Sequence, residues 1–269
     1  MQSLLCDKFY DKHKKTRLQV HYHILKANWQ KIYTFLKAFG KIHVKNKAHQ
    51  TRRFIEAVYF QTRTGCQWRM LPPVYGHYRS VHKRFKYWSE LGVWEKLMQH
   101  VSDIDPQDVM LDTSIVRANA CAAGYEKGGN AVQGLGRSKG GFTTKIHALA
   151  DALGNLIRFW VTPGQVHDVT QAALMLKEVQ GGNVLADKAY FSRELIEGLT
   201  EKGCCVVIPA RANARVPYEI DRDIYKERHL IENLFAKLKQ FRRIFSRFDK
   251  TICSFMSFLH FAGALIWMR

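Results

Sequence analysis

From Val109 onward the chain alternates short apolar, β-rich runs with helical stretches, and this alternation constrains the fold more than any other feature. Residues 109–116 form one β-rich run. Residues 143–150 and 156–162 flank a Leu-Gly-Asn turn and read as a hairpin. Asp168-x-x-Gln171 is a capping box that opens a helix to about residue 179. Residues 183–187 and 204–208 are further strands, separated by a helix that Ser192 caps. A long helix spans residues 225–241, and an apolar helix, 252–268, closes the chain. The order β, hairpin, α, β, α, β, α predicts an α/β fold, a mixed sheet with helices packed on its faces.

The first hundred residues differ. They read as helices and turns over residues 28–39, 48–62, 80–91 and 93–101, with Gly40, Gly65 and Pro72-Pro73 as punctuation. This predicts a basic helical unit over residues 1–102, followed by the sheet unit over 103–269. Charge separates the two parts. Residues 1–100 hold 20 basic and 5 acidic side chains, a net +15, whereas residues 101–269 hold 22 and 18, a net +4. A field concentrated on one end points to a polyanion, most simply nucleic acid. The helix over 80–91, with Arg79 just before it, carries Lys83, Arg84 and Lys86 after a helix and a turn. That is a helix-turn-helix-like arrangement suited to DNA contact.

Three acids stand where packing alone would not put them. Asp112 follows Val109-Met110-Leu111, Asp187 follows Val184-Leu185-Ala186, and Glu232 lies on the long helix. A carboxylate closing an apolar strand is costly unless it is paired or bound to a metal. Carboxylates converging at sheet ends suit Mg²⁺, which takes oxygen ligands and supports phosphodiester chemistry. On the long helix, Tyr225, Arg228, Glu232 and Lys239 fall within about 60° of one another at 100° per residue. A polar stripe of this kind can line a cleft, with Arg228 and Lys239 holding phosphates. The glycine-rich stretch 118–141 lacks a Walker A run and reads as a mobile basic loop, with Arg137, Lys139 and Lys145 near a phosphate backbone.

The spacing Tyr225-x2-Arg228-x3-Glu232-x6-Lys239 resembles the signature helix of the bacterial insertion-sequence DDE transposases. Leu111-Asp112-Thr-Ser-Ile-Val-Arg117, Lys139-Gly-Gly-Phe-Thr-Thr-Lys-Ile-His147, Thr162-Pro-Gly-Gln-Val-His-Asp168, Ala186-Asp187-Lys-Ala-Tyr190 and Arg228-His-Leu-Ile-Glu232 resemble the fifth insertion-sequence family in particular. So does Arg63-Thr-Gly-Cys-Gln-Trp68 with Leu71-Pro72. The similarity covers about residues 27–269, and residues 1–25 are an extension without a counterpart.

The resemblance implies a ribonuclease-H-like catalytic fold, with Asp112, Asp187 and Glu232 as the metal-binding acids. It implies two Mg²⁺ ions, which Mn²⁺ can replace, and double-stranded DNA as substrate, both terminal inverted repeats and target. Tyr225, Arg228 and Lys239 would contact DNA near the cleaved end, with Lys145 nearby, and Arg79, Lys83, Arg84 and Lys86 would bind DNA from the helical unit. Pairing of two ends implies a homodimer, at work in the bacterial cytoplasm at the nucleoid. Lys145, His147, His167 and Asp168 fall in recurring motifs. Asp168 is read as a helix cap, with a metal site at His147, His167 and Asp168 as the alternative.

Two other functions share these residues: a DNA-binding protein without catalysis, and a nuclease without strand transfer. The intact acid triad favours catalysis over binding alone. The six cysteines form no CxxC pair, which argues against a zinc site or disulfide framework and suits a reducing compartment. No signal peptide is visible, and the apolar run 252–268 is interrupted by Ser254, Ser257 and His260, so a buried terminal helix is expected there.

Overall fold

The computed structural model describes residues 22–104, 108–124, 129–138, 140–211 and 219–269. Most of the N-terminal extension, and Lys139 of the basic loop, lie outside the described residues.

The described residues open with four helices. Helix α1 (Lys26–Ala38) buries Trp29, Ile32, Phe35 and Leu36, a spacing of three and four that lines one face. Helix α2 (Ala48–Thr64) ends at Gly65, whose φ of 63° is the left-handed cap that glycine adopts without strain. A side chain at Gly65 would also meet the backbone of Arg242 and Arg243 at 3.2–3.3 Å. Two 3₁₀ turns, Trp68–Met70 and Pro73–Tyr75, lead into α3 (Tyr78–Glu90) and α4 (Val93–Val101).

The sheet unit follows as β1 (Asp108–Ala118), a short α5 (Gly129–Val132), β2 (Gly136–Ser138), β3 (Gly141–Asp151) and β4 (Leu156–Pro163). Next come α6 (Val169–Met175), β5 (Asn183–Ala186), α7 (Arg193–Glu201) and β6 (Cys205–Val207). The chain closes with α8 (Arg222–Lys226), α9 (His229–Lys239), α10 (Arg242–Phe245), β7 (Ser246–Arg247) and α11 (Ile252–Trp267).

The seven strands form one sheet in the order β2-β3-β1-β5-β6, with β4 also beside β3 and β7 also beside β1. Strand β3 runs antiparallel to β1, β2 and β4, while β5 and β7 run parallel to β1, and β6 parallel to β5. An antiparallel β4-β3-β1 meander extended by two parallel strands is the ribonuclease-H-like mixed sheet expected above. The parallel steps need crossovers, and α6 and α7 supply them.

Strand alternation gives the sheet two apolar faces. Met110 packs into a large core with α9, α10 and α11, whereas Val109 and Leu111 join a smaller one with Met175 and Leu199 of α6 and α7. The large core continues into the helical unit. Trp94 and Leu97 of α4, Phe85 of α3 and Phe258 and Phe261 of α11 belong to it. Helix α11 is thus the buried terminal helix its sequence suggests. Among the described residues, no helix is long and apolar enough to cross a membrane.

Three expectations change. The long helix over 225–241 is broken: that range holds the end of α8 and then α9, with Gln240 and Phe241 leading on to α10. Arg228 keeps helical dihedrals (φ −54°, ψ −22°). Around it, however, Glu227, Arg228, Leu230 and Ile231 each donate their N–H three residues back, which tightens the turn between α8 and α9. Helix α6 stops at Met175, short of residue 179, because the Lys202 ammonium takes the carbonyls of Leu176 and Lys177, each at 3.0 Å. The stretch 118–141, expected as a loop, contributes α5 and a paired strand, β2.

Candidate active site

The parallel register of β1 and β5 sets Leu111 opposite Ala186, and the next residue of each strand is an acid. Asp112, inside β1, and Asp187, just past the end of β5, are therefore neighbours on adjacent strands, about 5 Å apart by backbone spacing. Asp187 begins the 3₁₀ turn Lys188–Tyr190, and its Oδ1 accepts the Lys188 N–H at 2.6 Å. Asp112 Oδ1 accepts the Thr113 N–H at 2.8 Å.

Glu232 arrives from the first turn of α9, and Arg228 joins it to Asp112. Arg228 Nη1 donates to Asp112 Oδ2 at 3.2 Å, and Nη2 donates to Glu232 Oε1 at 2.5 Å. The Tyr225 ring lies 5.9 Å from the same guanidinium. Burial pushes the Asp112 carboxyl above its ordinary range; the Thr113 N–H and Arg228 oppose this, while the negative charges of Asp187 and Glu232 add to it. For Arg228 burial acts downward, but Asp112, Tyr225, Glu232 and Asp187 outweigh it and the guanidinium is held more firmly protonated. Lys239 sits exposed at the end of α9, about two turns beyond Glu232.

A cavity of about 460 Å³ opens beside Asp187, lined by Lys145, His167, Asp168, Lys188 and Arg211 among others. Lys145 is buried, and its ammonium donates to Asp168 Oδ1 and to the Val166 carbonyl, both at 2.7 Å. Asp168 thus serves as the counter-ion of a buried lysine. Its side chain makes no cap bond to α6, contrary to the capping reading. His147 is fully buried, with Nε2 2.8 Å from Thr162 Oγ1. Burial lowers its pKa to about 4, with Lys145 adding to the effect and Asp168 opposing it.

The chemistry of Asp112, Asp187 and Glu232 fits a hard divalent cation, since all three offer carboxylate oxygen. Two of them already share one cation, the Arg228 guanidinium. Among the described residues, no three His, Cys, Asp or Glu side chains stand close enough together to hold a metal ion as they are placed. The alternative trio of His147, His167 and Asp168 does not assemble either.

The basic residues of α3 divide. Arg79, Lys83 and Lys86, four and three residues apart, line a groove of about 590 Å³ with Gln67, Trp68, Arg69, Tyr78 and His82. No carboxylate lines it. Trp68 stacks on His82 at 4.6 Å and is backed by the Arg243 guanidinium at 5.5 Å. Arg84 points away from this groove. Its guanidinium lies over Phe54 at 4.4 Å and Trp88 at 4.8 Å.

Residues 99–251, more than half of the chain, match the family described as "Transposase DDE domain". The chain belongs to the DDE transposase family. Residues 24–98 of the transposase match a second family, "Putative transposase of IS4/5 family". It is 44% identical over 132 residues to a Brucella ovis protein described as "Putative transposase for insertion sequence element IS6501"; the match covers 47% of this chain and 99% of that one. It is 34% identical over 100 residues to the uncharacterized protein y4sN of Sinorhizobium fredii, covering 37% of this chain and 79% of the relative. Among solved structures, a piggyBac transposase synaptic complex with hairpin DNA aligns at a TM-score of 0.34 and 13% identity, over 77% of this chain and 46% of that one. The chain thus spans less than half the length of that piggyBac chain. A Mos1 transposase paired-end complex aligns at 0.27 and 10% identity, over 70% and 79%.

Several residues around these sites have no role assigned by the sequence motifs. Lys188 and Arg211 beside Asp187, and Gln67 and Arg69 in the basic groove, carry no spacing that singles them out. Lys188 directly follows the strand-end acid, a position that could have drawn notice; Arg211 reaches the site from after β6, with Nη2 donating to the Ala189 carbonyl at 3.1 Å.

Proposed function

We propose that Asp112, Asp187 and Glu232 are the acids through which this transposase binds metal and cuts DNA. The observation that carries the reading is the Arg228 fork. It joins an acid on β1 to an acid on α9, with Arg228 and Asp112 116 residues apart in sequence, beside a third acid at the neighbouring strand end. Such a cluster serves packing poorly and cation binding well.

The three carboxylates would hold Mg²⁺, with Mn²⁺ able to replace it, in a two-ion site. Bound there, the metal supplies Lewis-acid stabilisation of phosphodiester cleavage and of the 3′-oxygen. The protein's own groups orient the strand. Arg228, Tyr225 and Lys239 engage phosphates next to the cut, and Lys188 and Arg211 line the approach to Asp187. In hydrolysis, water adds to phosphorus and the bond to the 3′-oxygen breaks, leaving a 3′-hydroxyl. In strand transfer, that hydroxyl attacks a target phosphodiester and the target's own 3′-oxygen leaves, so the number of phosphodiester bonds is unchanged.

The groove of Arg69, Arg79, Lys83 and Lys86 would hold the phosphate backbone of the terminal repeats. Arg84 would support it from within the helical unit. Two copies would pair two ends, on DNA at the bacterial nucleoid.

The test is cleavage and joining of DNA carrying the element's own ends, with Mg²⁺. Asp112→Asn, Asp187→Asn and Glu232→Gln should each lower cleavage by about a thousandfold or more while leaving end binding within about threefold. Full cleavage by any of these variants would remove that acid from the assignment. Cutting without joining by the wild type would favour the nuclease reading.

A further inference from the structure

Arg228 occupies the place where the acids would use a metal. One guanidinium nitrogen is 3.2 Å from Asp112 Oδ2 and the other 2.5 Å from Glu232 Oε1. A divalent ion and a guanidinium compete for those oxygens, because two cations a few ångströms apart repel and each weakens the hold of the carboxylates on the other. We propose that Arg228 is the resident counter-cation of the acid cluster and that a DNA phosphate draws it away, so that metal binding depends on DNA binding. This rests on the reading of Asp112 and Glu232 as metal ligands.

Four features support the exchange. A guanidinium fork fits phosphate as well as it fits carboxylate, so a DNA phosphate offers Arg228 an equivalent partner. The fork is open at one end: the Glu232 side chain is 55% exposed, while those of Arg228 and Asp112 are 18% and 19% exposed. An incoming phosphate therefore meets the Glu232 side of the pair first. Arg228 also stands at the tightened turn between α8 and α9, as the N-cap residue of α9, so its long side chain can swing about its own χ angles while the backbone of that turn stays in place. Finally, Lys188 and Arg211 on the other flank of the cluster, beside Asp187, would attract the same strand.

The consequence is reciprocal. With Arg228 in place, the acids are already paired and metal affinity is low. Once DNA takes Arg228, the cluster regains its full negative charge where the scissile strand lies. By linkage, any factor by which DNA tightens metal binding is the factor by which metal tightens DNA binding. Free transposase would then be poorly loaded with metal, which limits cutting away from its own ends.

The experiment uses the full chain and Mn²⁺ as the probe, with free Mn²⁺ followed by electron paramagnetic resonance. Wild type, Arg228→Gln, Arg228→Lys and Asp112→Asn are titrated without DNA and with a saturating end duplex, after circular dichroism confirms that each is folded. Wild type should bind Mn²⁺ about tenfold or more tightly with DNA than without. Arg228→Gln should reach about that higher affinity without DNA and gain little more from it, and Arg228→Lys should fall between. Equal wild-type affinity with and without DNA would overturn the proposal. So would an Arg228→Gln variant no tighter than wild type in the absence of DNA, provided that Asp112→Asn still weakens binding. If Asp112→Asn leaves Mn²⁺ binding unchanged in every condition, the metal-ligand reading fails as well, and the two failures remain distinct.

Discussion

At the scale of single residues, the buried polar groups carry most of the information. Arg243 is buried; it pairs with Asp249 at 2.7 Å and also donates to the Cys66 carbonyl at 3.1 Å. Losing either partner would strand a buried charge. Lys145 and Asp168 form a second such pair, lining the cavity beside Asp187. His147, two residues from Lys145 on the same strand, is held neutral by burial. Its folded pKa of about 4 lies below the ordinary histidine value of 6.5. The unfolded chain therefore takes up the proton first as pH falls. Stability from this group is fully present above about pH 6.5 and is lost as pH drops toward 4. The loss is a few kcal/mol at most, at about 1.4 kcal/mol per unit. His147→Gln, which can still reach Thr162, should flatten that part of the curve of midpoint temperature against pH. An unchanged slope would show that other groups dominate acid unfolding.

At the scale of elements, α11 shows how an apolar run finds its place. Its faces are too uniformly apolar for a surface helix, and it lies between α4 and β4. Gly263 makes that close approach possible. A Cβ there would come within 2.7 Å of Met98 Sδ and 2.9 Å of Leu156 Cδ2. Gly263→Val should cost about 1–3 kcal/mol in urea unfolding, with Gly263→Ala nearer the low end because both neighbours are flexible side-chain ends. A neutral Gly263→Val would mean that α4 and β4 part easily. The turn of the β3–β4 hairpin is similarly tight. Gly154, at φ 73°, leaves no room for a side chain against Leu230, two residues from Glu232. The hairpin thus helps to set the position of α9, and with it Arg228 and Glu232.

At the scale of the whole molecule, the basic helical unit is packed onto the catalytic sheet through one continuous core. Arg243 of α10 braces Trp68 at the floor of the basic groove, so that groove and the acid cluster belong to one connected framework. If the groove follows DNA phosphates, affinity should fall with salt in proportion to the contacts made. Replacing Arg69, Arg79, Lys83 and Lys86 together by Gln should reduce the slope of log K against log salt by about 3–4, near 0.9 per phosphate. Relative affinity among duplexes of different sequence should change little. A preserved slope with altered sequence preference would instead assign these side chains to base reading.

How much of this was legible beforehand follows from which interactions are local. Strand and helix runs, the Gly65 stop, the acid inside β1 and the acid that follows β5 are written in neighbouring residues, because period, caps and the cost of a carboxylate in an apolar run are local properties. Position in sequence also marked Arg228 and Glu232 as one cluster, since four residues on a helix bring side chains together. Other assignments depended on partners distant in the chain. Asp168 looks like a helix cap until Lys145, on a strand 23 residues earlier, claims it. Arg84 looks like one more cation on a basic helix until Phe54 and Trp88 are seen beneath its guanidinium. The sequence by itself determined most of the strands and helices and singled out the three acids. Only the tertiary structure decided which charges are already paired, because burial and partner choice are set by chain segments that meet only on folding.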